Sequence, residues 1–225
     1  MTIWITAHPS GHLSGRAVGD AMLVRMAGDT RARVVRNAIG RPTLYGFPRA
    51  PHVSISHHQH FIATAMSTLG PVGIDVETIR DLPVEAMAAR WFAPEEARAL
   101  AELPPSERAL AFLRLWTLKE AVGKALGIGL RGGGMRRPVG PLPPHPMAAL
   151  PALGSSVGRG RDCGGRDHDG FVVDRLPHVP GVAAVTARLG DLVVAVACQA
   201  PDAAGTPVAI HDEALPIDPT RVDAT

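Results

Sequence analysis

The chain is poor in lysine, cysteine and aromatic residues. Of its 23 basic residues only two are lysine, Lys119 and Lys124; all others are arginine. A chain with that bias has replaced lysine wherever it could. Two lysines kept five positions apart therefore mark places that need a compact ammonium rather than a planar fork, as point-charge contacts to phosphate do. Two cysteines, Cys163 and Cys198, cannot build a disulfide framework or a cysteine metal cluster. The longest apolar run, Leu192 to Cys198, is far too short to cross a membrane. Residues 1–16 lack a basic start followed by an apolar core, so no signal peptide is expected. A formal net charge of +2 is too small for a large nucleic-acid footprint. The expectation is a soluble cytoplasmic protein, monomeric, with neither nucleic acid nor membrane as partner.

What is present is enough apolar sequence, over 225 residues, for one good core or two small ones. Apolar spacing predicts a helix over 14–27. Strands are predicted at 31–35, 53–56, 61–67 and 72–76, the last two joined by a turn at Leu69-Gly70-Pro71. Helices follow over 83–92, from Pro94, and over 105–126, where Gly127 is the stop signal. Glycine and proline supply 16 of the 40 residues over 131–170, which predicts a long irregular loop. Strands return at 171–174, 182–187 and 192–198, and a flexible tail is expected over 201–225. The order, helix then strands and helices then strands again, suggests two similar α/β halves, at 1–77 and 78–200.

Three constellations carry chemistry. In Gly73-Ile74-Asp75-Val76-Glu77 the two carboxylates share one face of a strand and the two apolar side chains share the other. That face is either a solvated acidic edge or an oxygen-donor set for a hard cation such as magnesium. In the helix, Trp116, Glu120 and Lys124 stack at four-residue spacing with Lys119 on the neighbouring flank. An ordinary surface pair beside a core tryptophan would look the same, but would not explain why the only two lysines are here. The third is Ser54-Ile55-Ser56-His57-His58, where hydroxyl and imidazole together could grip a phosphate. Two lysines and three carboxylates read jointly as a divalent metal on a pyrophosphate.

Taken in order, Gly40-Arg41-Pro42, Ser56-His57, Gly73-Ile74-Asp75-Val76-Glu77 and Trp116 through Lys124 resemble the motifs of 4′-phosphopantetheinyl transferases, in the larger surfactin-type branch. Arg41 stands where that family usually has lysine, and His58 and Gln59 follow the Ser-His pair where a small hydroxyl residue is common. The resemblance implies an α+β fold, a pseudo-dimer of two similar α/β halves with coenzyme A bound in the cleft between them. It implies magnesium on Asp75, Glu77 and Glu120, and pyrophosphate contacts from Lys119 and Lys124. It also implies 3′-phosphate contacts from Ser56, His57 and Arg16, and nucleotide contacts from Arg41 and Pro42.

The implied reaction moves phosphopantetheine from coenzyme A to a serine of an acyl or peptidyl carrier protein, as in fatty-acid, polyketide or nonribosomal-peptide synthesis. It releases 3′,5′-ADP. Glu120, or a water it holds, is the first candidate for the base, and Glu96 the second. Two rivals stay open: a non-catalytic binder of coenzyme A or carrier protein, and a magnesium-dependent phosphohydrolase.

Overall fold

The computed structural model describes residues 1–7, 14–129, 133–140, 149–150, 174–200, 202–206 and 208–212. Two sheets lie at its centre. The first has the order β11-β1-β5-β4, from β1 (Thr2–Ala7), β4 (His52–His58), β5 (Phe61–Ser67) and β11 (Ala209–Asp212). The second has the order β6-β10-β9-β7, from β6 (Val72–Thr78), β7 (Ala149–Leu150), β9 (Val182–Leu189) and β10 (Leu192–Gln199), with β8 (Asp174–Arg175) also on β9. A separate ribbon pairs β2 (Arg33–Arg36) with β3 (Pro42–Tyr45).

The sheets pack face to face. Ile3 and Ile5 of β1 and Ala63 and Ala65 of β5 meet Ile74 and Val76 of β6 and Val194 and Val196 of β10 in one buried cluster. Alternation along each strand gives the opposite faces to helices. On the first sheet Val18 and Met22 of α1 (Gly15–Ala27) pack against Ile62. On the second, α4 (Pro105–Ala125) places Leu118, Ala121, Val122 and Ala125 against Val193, Ala195 and Ala197. Helices α2 (Val84–Trp91) and α3 (Pro94–Glu102) close over α4, where Phe92 stacks on Phe112 at 4.8 Å between ring centroids.

The predicted elements are present among the described residues, with four differences, while the strand expected at 171–174 lies mostly outside them. Strand β6 falls in the second sheet, paired antiparallel with β10, so a division of the chain at residue 77 cuts through the second sheet rather than between the halves. Residues 209–212 are not a free tail; their backbone pairs in parallel with β1, and Val208 and Ala203 are buried beside it. Most of 131–170 lies outside the described residues. The part at 133–140 is docked, with a 3₁₀ turn at Gly134–Arg136 and with Met135 and Val139 buried against α4. Strand β1 was not anticipated, although Ile3 and Ile5 carry its alternation.

Candidate active site at the seam of two strands

Strand β4 and strand β6 face each other where the two sheets meet. Side chains two apart on β4 point the same way, so Ser54, Ser56 and His58 form one row. Each reaches β6. The Ile74 N–H donates to Ser54 Oγ at 3.2 Å, Ser56 Oγ donates to Asp75 Oδ1 at 2.7 Å, and His58 Nδ1 lies 3.1 Å from Glu77 Oε2. A buried strand edge needs partners for its backbone polar groups. Here Ser54 satisfies the Ile74 N–H, and Lys124 Nζ donates to the Ile74 carbonyl at 2.8 Å.

Gly73 brings α4 to this edge. A Cβ on Gly73 would lie 2.0 Å from the Ala121 carbonyl oxygen and 2.6 Å from the Ala125 nitrogen. Helix and strand are therefore in backbone contact, and Lys124 stands beside Asp75. Its ammonium donates to Asp75 Oδ1 at 2.8 Å. Glu120 is one turn back on the same stripe. Burial pushes its carboxyl above the usual range, Asp75 adds to the rise, Lys124 opposes it, and Glu77 raises it further. Glu120 thus sits in the negative field of the other two carboxylates.

The oxygen donors suit a hard cation. Among the described residues, hydrogen bonds to Asp75 use Oδ1 and those to Glu77 use Oε2, which leaves Asp75 Oδ2 and Glu77 Oε1 as open donors. No three acidic, histidine or cysteine side chains among the described residues are yet gathered around a single point. Ligation by all three carboxylates therefore requires side-chain rotation, for which Lys124 must give way on Asp75. The donor chemistry fits magnesium.

Lys119 is elsewhere. Helical geometry turns it about 100° from Glu120. Its ammonium meets Glu96 Oε2 at 2.7 Å and the Arg137 carbonyl at 2.5 Å, and lies 5.2 Å from the centre of the Phe92 ring. Burial pushes its pKa down, and the Glu96 partner opposes that fall. Glu96 is equally committed. Besides Lys119 it accepts from the Ala93 N–H at 3.2 Å, as the third residue of α3, and from the Val139 N–H at 3.2 Å. The pair ties α3, α4 and the 133–140 segment together, and both ions are withdrawn from the Asp75 cluster.

Ser56 and His57 are also separated. Ser56 belongs to the row on β6, whereas His57 faces the start of α1, where a Cβ on Gly15 would come within 4.0 Å of its ring. Hydroxyl and imidazole therefore cannot share one grip. Arg16 is exposed on the same first turn, capped by Ser14, whose side chain accepts from the Ala17 N–H at 3.3 Å. Arg36 and Asp20 pair at 2.6 Å further along α1. Arg41 follows a turn closed by Asn37, which accepts from the Ile39 and Arg41 N–H groups. Its guanidinium lies against Gly127, so a Cβ there would meet Nη1 at 2.6 Å, and it borders the C-terminal end of α4. Pro42 opens β3 beside it. Arg80 was not anticipated at the seam, and Ser54 and His58, though within the Ser-His segment of the sequence, were given no role on β6. The period-two row from Ser56 contains the latter two.

The segment that builds the seam on the β6 and α4 side has known relatives. Residues 71–139 match the family model described as the 4′-phosphopantetheinyl transferase superfamily. A putative 4′-phosphopantetheinyl transferase of Synechocystis is 35% identical over 96 residues, 42% of this chain and 39% of that protein. The 4′-phosphopantetheinyl transferase HetI of Nostoc is 37% identical over 34% of this chain and 33% of its own length. The 4′-phosphopantetheinyl transferase Sfp of Bacillus subtilis is 33% identical over 40% of this chain and 39% of its own. The matches thus span a third to two fifths of the length of these curated relatives. No described helix is long and apolar enough to cross a membrane. The stretch that brings Lys124 and Glu120 onto Asp75 is the one that matches the 4′-phosphopantetheinyl transferase superfamily model, and it carries two of the motifs on which the resemblance rests.

Proposed function

We propose that the chain transfers the 4′-phosphopantetheine group of coenzyme A to a serine of an acyl or peptidyl carrier protein and releases 3′,5′-ADP. The observation that carries this reading is the meeting of Asp75, Glu120 and Lys124 on one buried strand edge, within the segment that matches the superfamily. Two sheets with a helix on each outer face support the further reading of two similar halves with the site between them.

Asp75, Glu77 and Glu120 would hold magnesium. Bound there, the ion would neutralise pyrophosphate oxygens and act as a Lewis acid. Lys124 is free to leave Asp75 for a phosphate oxygen, since its side chain is partly open to solvent. The serine oxygen forms a bond to the phosphorus that bears pantetheine, the bond from that phosphorus to the ADP oxygen breaks, and the serine proton passes to a base. Glu120, or a water it holds, is assigned as that base. The capped N-terminus of α1, with Arg16 and His57 beside it, offers N–H groups and positive charge for the 3′-phosphate. Arg41, beside the C-terminal end of α4, and Pro42 are assigned to the nucleotide. Lys119 is assigned a positioning role through Glu96. The reading includes a cytoplasmic monomer, consistent with the buried free thiol of Cys198.

The test is incubation with coenzyme A, magnesium and a panel of carrier proteins, read by intact mass. A phosphopantetheine mass gain on a carrier supports transfer. Coenzyme A breakdown without that gain supports hydrolysis instead, and no change in either supports a binder.

A further inference from the structure

In the third rung of the β4–β6 row, His58 has no role in the reaction as written above. His58 ends β4, held there by the turn at Gln59, whose φ of 50° is a left-handed conformation unusual for a residue with a side chain. Arg80 Nη1 donates to Glu77 Oε2 at 2.8 Å and to the Thr78 carbonyl at 3.0 Å, and lies 3.3 Å from His58 Nε2. The other ring nitrogen, Nδ1, faces Glu77 Oε2 at 3.1 Å. Two nitrogens from different elements, Nδ1 at the end of β4 and Arg80 Nη1 after β6, meet a single carboxylate oxygen. The other oxygen, Oε1, takes no hydrogen bond among the described residues.

We propose that His58 is a positioning residue for Glu77: it fixes Oε2 so that Oε1 is presented to the divalent cation as a single oxygen ligand. The inference rests on the metal-dependent reading given above. A glutamate has three side-chain torsions to order before it can ligate, and each ordered in advance lowers the cost of binding. Arg80 alone would neutralise Glu77 and leave it free to swivel about one contact. The second, differently directed contact from His58 Nδ1 removes that freedom. Partners of this kind typically change metal affinity by about 10–100-fold when lost.

The probe is Mn²⁺ binding to the full chain in the presence of coenzyme A, followed by electron paramagnetic resonance, with melting temperature measured in parallel. His58→Ala is expected to weaken Mn²⁺ binding by about 10–100-fold. His58→Asn, whose amide N–H can stand near the place of Nδ1, should restore most of the affinity. His58→Gln, whose amide reaches toward the place of Nε2, should not. A His58→Ala protein that melts early but binds Mn²⁺ as the parent does would overturn the proposal and leave His58 a rung of the seam alone. Equal affinities for the Asn and Gln variants would overturn it too. A parent chain that binds no Mn²⁺ with coenzyme A would overturn the metal-dependent reading itself, and this proposal with it.

Discussion

Lys119 and Lys124 leave the same helix five residues apart, and each ammonium holds one carboxylate at under 3 Å, yet the two pairs differ in what surrounds them. The Lys119 and Glu96 side chains are 1% and 7% exposed, and their remaining hydrogen-bonding capacity goes to the Arg137 carbonyl and to the Ala93 and Val139 N–H groups. The Lys124 side chain is 28% exposed, and its partner Asp75 keeps one oxygen open. A saturated ion pair in a dry site joins elements together. An incompletely satisfied pair beside further carboxylates can exchange partners, and a site that must admit a cation and a phosphate needs that. Rarity of lysine marked both positions, but only burial and partners separate the two roles.

The comparison can be broken first at Lys119. Lys119→Met leaves Glu96 charged and buried without its counter-ion, and should cost about 3–5 kcal/mol in urea unfolding. Lys119→Met combined with Glu96→Gln should recover a large part of that loss, because no lone charge remains. If the single variant unfolds at the parent's urea midpoint, the pair is not the tie between α3, α4 and 133–140 described above.

Gly73 sharpens the other side. Gly73→Ala puts a methyl into the Ala121 carbonyl, a backbone atom that cannot rotate aside. Overpacking of that kind should cost about 1–3 kcal/mol. It should also lower transfer activity by more than the loss of folded protein explains, since α4 must shift and carry Glu120 and Lys124 with it. Activity per folded molecule equal to the parent's would mean that the close approach serves packing alone.

A smaller effect of opposite sign is expected at Glu120. Its carboxyl is raised in the folded protein, chiefly by burial and by Asp75. The folded state then binds more protons than the unfolded state above the ordinary glutamate pKa, so stability falls as pH rises through that window. Glu120→Gln removes the penalty. In a chelating buffer it should melt a few degrees above the parent at pH 7 and at the same temperature near pH 3. A variant that melts below the parent at pH 7 would contradict the electrostatic account of the cluster.

The sequence made the elements around the seam legible because their signals are local. Pro94 and Pro105 open helices, Gly127 ends one at a positive φ of 71°, and Ser14 caps another. The strand over 72–76 and the helix over 105–126 were legible for the same reason, whereas the meeting of Asp75 with Lys124 is a contact far apart in the chain. Partner choice was not legible. That β6 pairs with β10, and 209–212 with β1, depends on contacts far apart in the chain. The grouping of Ser56 with His57 overlooked the alternation of a strand, which sends them to opposite faces. The separation of Lys119 from Lys124 depends on Glu96, in a helix whose packing no local pattern reveals.

The most direct test of the seam as the site is Lys124→Arg, read as kcat/KM for coenzyme A with a carrier protein, with melting temperature as the check on folding. Arginine can pair with Asp75 on an open helix face as well as lysine does. Between Ile74, Asp75 and a phosphate it is too wide, and a displacement of about 1 Å costs on the order of a hundredfold. The account predicts a variant that melts close to the parent and whose kcat/KM falls by about that factor. A folded Lys124→Arg protein with the parent's kcat/KM would contradict it.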